Sequence, residues 1–216
     1  MASCIGAIVE ENMKNKKIFK MAFLAMMSAV LVIMMFTPLG YIPLGVLRIT
    51  TMHIPVLITT MVLGKKEGMM MGALFGLSSV IINTLQPTLT SFVFSPFISV
   101  GAVNGNGYSL IIAVLPRILL GWSSGVIYER LASYINDTGR IILSACVGTL
   151  TNTLLVLGGI YLFFGPAYAA VRSIEYSALF TVLLTTILTN GILEILLAAV
   201  ICLAAVKALQ TRKLKS

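Results

Sequence analysis

Apolar residues recur along this chain in runs close to the length of a membrane-spanning helix, with polar residues gathered between them. A helix needs about 20 apolar residues to cross a bilayer, whereas a barrel strand alternates apolar and polar positions over about ten. The runs do not alternate. They predict an all-α polytopic membrane protein with six transmembrane helices, at about residues 18–36, 47–63, 68–85, 109–128, 140–164 and 179–206.

The composition excludes an ordinary soluble domain. Of the 216 residues, 58% are hydrophobic and 10% are charged, whereas a soluble domain carries about 25% charged residues. Cys4, Cys146 and Cys202 match no disulfide or metal-site spacing, so we expect them to pack as small residues. The sequence has no Cys/His cluster for a catalytic metal, and we expect neither a metal nor a cofactor.

The basic residues predict the orientation. Twelve of the fifteen lysines and arginines flank the spans on one side: Lys14, Lys16, Lys17, Lys20, Lys65, Lys66, Arg130, Arg140, Lys207, Arg212, Lys213 and Lys215. The positive-inside rule therefore predicts a protein of the cell membrane with both termini in the cytoplasm. The chain divides into a cytoplasmic segment at 1–17, a membrane domain at 18–206 and a basic tail at 207–216. A basic rim beside anionic lipid explains the net charge of +8 without nucleic acid.

The connections on the other side differ from the short polar ones on the basic side. The first contains a repeated Pro-Leu-Gly, and the second, at 86–108, is long, aromatic and uncharged. Long connections of this kind are typical of lids and binding loops, although a re-entrant stretch without a ligand has the same appearance. We therefore expect recognition at the outer face.

Arg117 is the most informative residue within the predicted spans. It lies roughly 13 Å into span four at about 1.5 Å per residue. Pro116, just before it, frees a backbone carbonyl. An arginine at this depth suits a carboxylate or phosphate ligand; the structural alternative is a pairing with Glu194 that joins two helices.

Amides accompany this arginine in other spans. Thr186, Asn190 and Glu194 share one helix face, and Asn83 and Asn152 add two further polar groups. Each amide alone could simply bridge helices. Together they predict a polar interior open toward the outside, and Trp122, near mid-membrane, is expected to form an apolar wall.

Catalytic motifs are not convincing. GWSSG at 121–125 lies within a predicted membrane helix, whereas the hydrolase elbow it resembles needs a strand, a turn and a helix. LGKKEG does not complete a phosphate-binding loop. We therefore expect no enzyme, and energy must come from a partner or a gradient.

Small residues form two stripes. Ala22, Ala25 and Ala29 share one face of span one, and Gly68, Gly72 and Gly76 recur at every fourth position of span three. Such stripes let helices approach closely, either within the chain or against a partner.

Several segments carry a family resemblance that covers about residues 18–206. PLGYIPLGVLRITTMHIPVLI, LGKKEGMMMGALFGLSSVI, NTLQPTLTSFVFSPF and LPRILLG, with the alanine stripe, resemble the substrate-binding S components of energy-coupling factor (ECF) transporters. Within that family the segments look most like the pantothenate branch.

The resemblance implies a vitamin importer. Such a protein captures its vitamin outside, docks on a transmembrane coupling subunit driven by two cytoplasmic ATPases, and topples to deliver it. It implies docking through Ala25 and Ala29, with Ala22 beside them and support from the glycine stripe, and two outer loops closing over the ligand. For pantothenate, depth and chemistry then select Arg117 for the carboxylate, with Arg48 as the fallback. Asn83, Asn152 and Asn190 are assigned to the amide and hydroxyls, and Tyr41, His53 and Trp122 to the walls.

Two alternatives remain at this stage. The first is an S component for another vitamin or precursor, and the second is a standalone gradient-driven carrier. Such carriers often contain internal repeats with interrupted helices. No convincing repeat relates 18–85 to 109–206.

Overall fold

The computed structural model describes residues 2–44, 47–101 and 103–213, with side chains for 15–40, 50–101 and 103–211. Within these residues, five helices are long and apolar enough to cross a membrane, and a sixth apolar helix is shorter. The elements in chain order are α1 (Ala2–Phe36), β1 (Tyr41–Leu44), β2 (Leu47–Thr50), α2 (Ile54–Leu63), α3 (Lys65–Leu85), β3 (Ser99–Val100), β4 (Val103–Asn104), α4 (Gly107–Arg130), α5 (Asp137–Val171), α6 (Tyr176–Thr186), a π-helical segment (Ile187–Gly191) and α7 (Ile192–Lys213).

The second predicted helix is shorter than the sequence pattern indicated. A helix was expected from residue 47, but residues 47–50 form β2, which pairs antiparallel with β1. The residues 47–50, Leu-Arg-Ile-Thr, include two β-branched side chains that suit a strand, and Pro55 marks the start of the helix that follows. At about 1.5 Å per residue, ten residues span roughly 15 Å, about half of the hydrocarbon layer.

This short helix is the centre of the bundle. Eight of its ten residues, Ile54 to Met61, are buried. It packs against α1, α3, α4 and α7. A helix that is apolar on every side belongs in a core rather than at a lipid-facing surface.

The glycine stripe of α3 packs inside the chain. A methyl group added to Gly76 would lie 2.7 Å from the Cα of Val114, and one added to Gly72 would meet the backbone of Arg117. These glycines let α3 and α4 approach backbone to backbone. The support for docking that the family resemblance assigned to this stripe is therefore not its role in the fold.

The last predicted span is one helical path with a π-helical interruption. Residues 176–211 form one continuous apolar stretch that is long enough to cross a membrane, and residues 187–191 form the π segment between α6 and α7. A π turn takes up an additional residue, and such turns occur often at functional sites. The preceding helix, α5, also continues beyond the expected residue 164 to Val171 and accommodates Pro166.

The two ends of the bundle differ in chemistry. At one end Lys20 pairs with Glu67, and Lys65 pairs with Glu129 at 2.8 Å. We call this the basic end. At the opposite end lie the β1–β2 hairpin and the connection 86–106, whose Phe92 and Val93 are fully buried.

Candidate functional site

A cavity of about 750 Å³ lies at the end of the bundle opposite the basic end. Its walls come from α1, α3, α4, α5 and the path from α6 to α7, together with Thr50 of β2 and part of the connection after α3. The volume is within the range of about 300 to 1,000 Å³ that is usual for small-molecule sites. This part of the fold is therefore large enough to enclose a small ligand.

Arg117 reaches the cavity from α4 and is 7% exposed. Its Nη1 donates a hydrogen bond of 2.6 Å to the carbonyl oxygen of Ile112. This carbonyl is four residues before Pro116, which has no N–H to donate to it. The proline thus frees the acceptor that holds the neighbouring arginine in place.

Two aromatic rings lie beside the same guanidinium. The Arg117 Cζ is 5.3 Å from the ring centre of Phe75 on α3 and 5.4 Å from that of Phe94 in the following connection. A cation over an aromatic ring is stabilised by about 0.5 to 2 kcal/mol, more when water is excluded. The rings and the Ile112 carbonyl therefore pre-orient a buried cation, which is the arrangement needed to bind an anion.

Glu194 brings an opposite charge to the same cavity. It is 9% exposed and lines the cavity from α7. Its Oε1 accepts a hydrogen bond of 2.8 Å from the backbone N–H of Thr50. Arg117 and Glu194 are the charged residues among the described residues that line the cavity. A pairing between them, the alternative that the sequence left open, is compatible with a ligand site at the same place.

The three asparagines also line the cavity, and they differ in their hydrogen bonds and in the elements that carry them. Asn83 donates to the Ser79 carbonyl and accepts from the Ser91 hydroxyl, both at 2.8 Å, so its amide fastens the connection after α3. Asn152 presents a buried Oδ1 for which the described residues offer no hydrogen-bond partner. Asn190 lies on the π-helical segment. An amide oxygen without a partner in a cavity wall is suited to a ligand donor.

Comparison with known proteins identifies the family. Residues 19–206 match the family described as "ECF transporter, substrate-specific component". The chain belongs to this family of S components. It is also 36% identical over 201 residues to the pantothenic acid transporter PanT of Lactococcus lactis subsp. cremoris (strain MG1363). The aligned region covers 91% of this chain and 96% of that protein. This S component is accordingly a multi-pass membrane transporter subunit.

Other residues predicted for the site lie elsewhere in the S component. Trp122 is 47% exposed and does not line the cavity. It follows Arg117 by five residues, which places it about 140° further around α4. His53 is 1% exposed and packs at the start of α2, also outside the lining. The backbones of Tyr41 and Arg48 belong to β1 and β2, but their side chains lie outside the described residues.

Phe75 and Phe94 are the aromatic walls that the sequence did not reveal. Phe75, Ser79 and Asn83 recur at intervals of four and share one face of α3. Extending the face of Asn83 toward the start of its helix would therefore have found Phe75. Phe94 offers no such signal, because it lies in a connection that has no regular period.

The alanine stripe faces away from the bundle. Ala22, Ala25 and Ala29 are exposed, whereas Phe23 and Leu31 of the same helix are buried in the core. At about 100° per residue the two sets lie on opposite sides of α1. In the described part of the chain this stripe is not used for internal packing, so the close approach it permits remains available to lipid or to another protein.

Proposed function

We propose that this S component binds pantothenate at the Arg117 cavity and delivers it through an ECF transporter complex. The observation that supports this most strongly is the buried guanidinium, held by the Ile112 carbonyl beside Phe75 and Phe94 within a polar cavity. The 36% identity to a pantothenic acid transporter supports the choice of vitamin.

The chemistry of pantothenate corresponds to the chemistry of the lining. Its carboxylate would bind Arg117, since guanidinium and carboxylate can form two parallel charge-assisted hydrogen bonds. Its amide and hydroxyl groups would bind Asn152 and Asn190. Its dimethyl carbon would pack on apolar side chains such as Val156 and Leu157, which also line the cavity. Arg48 and Tyr41 remain candidates for further contacts.

The charge distribution supports the direction of capture. The cavity lies opposite the end where Lys20 and Lys65 form their ion pairs. Positive charge favours the cytoplasmic side. On this basis the chain has six membrane helices, including the short α2, with both termini in the cytoplasm and the cavity open to the outside.

The exposed alanines support a docking role. Ala25 and Ala29 leave a shallow stripe on α1, against which another helix could pack closely. The partner would be the transmembrane coupling subunit, which two cytoplasmic ATPases drive. The energy for import would then come from ATP bound by those subunits rather than by this chain.

A binding titration tests the proposed substrate. The purified chain, in detergent and without partners or ATP, would be titrated with a panel of vitamins by calorimetry and native mass spectrometry. Tight one-to-one binding of pantothenate is the expected result. Tight binding of a different vitamin would overturn the substrate, and no binding by a chain with a cooperative thermal transition would overturn the function.

Uptake measurements separate the complex from a standalone carrier. Cells or proteoliposomes that contain this chain without the coupling subunit and ATPases should show no pantothenate accumulation. Sustained uptake driven by an ion gradient alone would mean that the chain is a gradient-driven carrier.

A further inference from the structure

The last residue of β2 is fastened to the last helix of the protein. Thr50 pairs with Tyr41 in the β1–β2 hairpin, and its backbone N–H donates to Glu194 Oε1 at 2.8 Å. The two residues are 144 positions apart in the chain. A backbone N–H without an acceptor costs free energy where water is scarce. The Glu194 carboxylate provides the acceptor for the Thr50 N–H that the pairing of β1 with β2 does not.

Packing around this hydrogen bond shows that it belongs to a larger contact. Strand β2 contacts both the π-helical segment and α7. The residues that flank the hairpin in sequence hold it as well. The Thr51 N–H donates to the Gly40 carbonyl at 3.1 Å, and the His53 ring lies against the Thr50 backbone. The base of the hairpin is thus held by its own neighbours on one side and by Glu194 on the other.

The π-helical segment determines where Glu194 points. Gly191 ends the segment, and Glu194 follows within the first turn of α7. If the path were an uninterrupted α-helix with one residue fewer, Glu194 would rotate by about 100° relative to α6. The interruption therefore directs the carboxylate toward Thr50 and the cavity.

We propose that Glu194 is a positioning residue that fastens the β1–β2 hairpin to α7 at the cavity wall, and that the hydrogen bond to Thr50 sets the residence time of the ligand. The role depends on where the acceptor oxygen lies, not on the negative charge. The part that concerns residence time rests on the proposed binding of pantothenate, whereas the fastening of the hairpin does not.

Two conservative variants distinguish acceptor position from charge. Glu194→Gln keeps an oxygen at the same distance along the side chain and removes the charge. Glu194→Asp keeps the charge and withdraws the oxygen by one methylene. Hydrogen exchange at the Thr50 amide, measured on the ligand-free chain, should stay near the wild-type rate in Glu194→Gln. It should rise about tenfold in Glu194→Asp, as expected for loss of one hydrogen bond at the upper end of the usual range.

Pantothenate dissociation, followed by displacement with excess unlabelled vitamin, should show the same order. Glu194→Asp should release the ligand about tenfold faster than wild type, while Glu194→Gln should stay within about twofold. Asn152→Leu is the matched control. It alters another wall of the same cavity, so it should weaken binding and leave Thr50 exchange unchanged.

The outcomes separate the two proposals. Faster exchange in Glu194→Gln than in Glu194→Asp, or no change in either, would overturn the positioning role. Wild-type chain that fails to bind pantothenate would refute the proposed substrate, while the exchange rates would still test the fastening. Tight pantothenate binding with an unaltered dissociation rate in Glu194→Asp would overturn the link to residence time.

Discussion

Replacement of Gly72 by alanine should loosen the contact that positions Arg117. The added methyl would lie 2.8 Å from the carbonyl carbon of Arg117 and 3.1 Å from the Cα of Ile118, where ordinary contacts begin near 3.4 Å. These neighbours are backbone atoms, which cannot rotate away. To restore an ordinary contact with the Arg117 carbonyl carbon, the helices α3 and α4 would have to separate by at least roughly 0.6 Å, the difference between 3.4 and 2.8 Å.

The cost follows from overpacking. Forced separation of closely packed elements costs about 1 to 3 kcal/mol. For a chain of this size that corresponds to a fall in melting temperature of about 2 to 12 °C. Binding sites tolerate displacements of about 0.5 Å, so we also expect pantothenate affinity to fall. Thermal unfolding in detergent and calorimetric titration measure the two effects.

Gly158→Ala is the matched control for this substitution. Gly158 is also within a long helix, α5, but an added methyl there would meet open space. The substitution should be neutral or should stabilise by about 0.5 to 1 kcal/mol, because alanine favours the helix more than glycine does. Equal melting temperatures for the two variants would refute the inferred close contact between α3 and α4.

Two further predictions concern the ring beside Arg117 and the exposed stripe. Phe94→Ala should weaken pantothenate binding by about 2- to 30-fold, the equivalent of one cation–π contact. The control is Phe97→Ala, at a residue 75% exposed in the same connection, which should not weaken binding. Equal losses of affinity in the two variants would contradict the prediction. Ala25→Leu with Ala29→Leu should abolish ATP-dependent uptake and leave binding unchanged, whereas Ala204→Leu, at an exposed alanine of α7, should preserve uptake; loss of binding in the double variant would instead indicate internal packing.

The sequence predicted those features of the fold that depend on local pattern. Long apolar runs correctly indicated α1, α3, α4 and α5, because a membrane span needs about 20 apolar residues whatever its neighbours. The β1–β2 hairpin and the π-helical segment escaped this reasoning. Residues 47–50 are apolar enough to extend a helix, and only pairing with residues 41–44 makes them a strand.

The sequence predicts those residues of the candidate site whose polar groups carry a high free-energy cost in an apolar span. Arg117, Asn152, Asn190 and Glu194 are polar groups in apolar spans, which are retained only if they face a cavity or a partner. Phe75 resembles any core residue in the sequence, and its role depends on the approach of α3 to α4. Trp122 was misplaced for the complementary reason, since depth along a helix does not specify which face the side chain occupies.

Comparison of pantothenate with its alcohol analogue tests the central assignment most directly. In that analogue a hydroxymethyl group replaces the carboxylate, so the pair isolates the contribution of one charge. Wild-type chain should bind pantothenate at least about 30-fold more tightly than the alcohol, because separating one partner from a buried charge pair costs about 2 to 5 kcal/mol. In Arg117→Gln, which removes the charge and keeps a polar side chain, the preference should fall to within a few-fold. A preference that persists undiminished in Arg117→Gln would show that another residue binds the carboxylate.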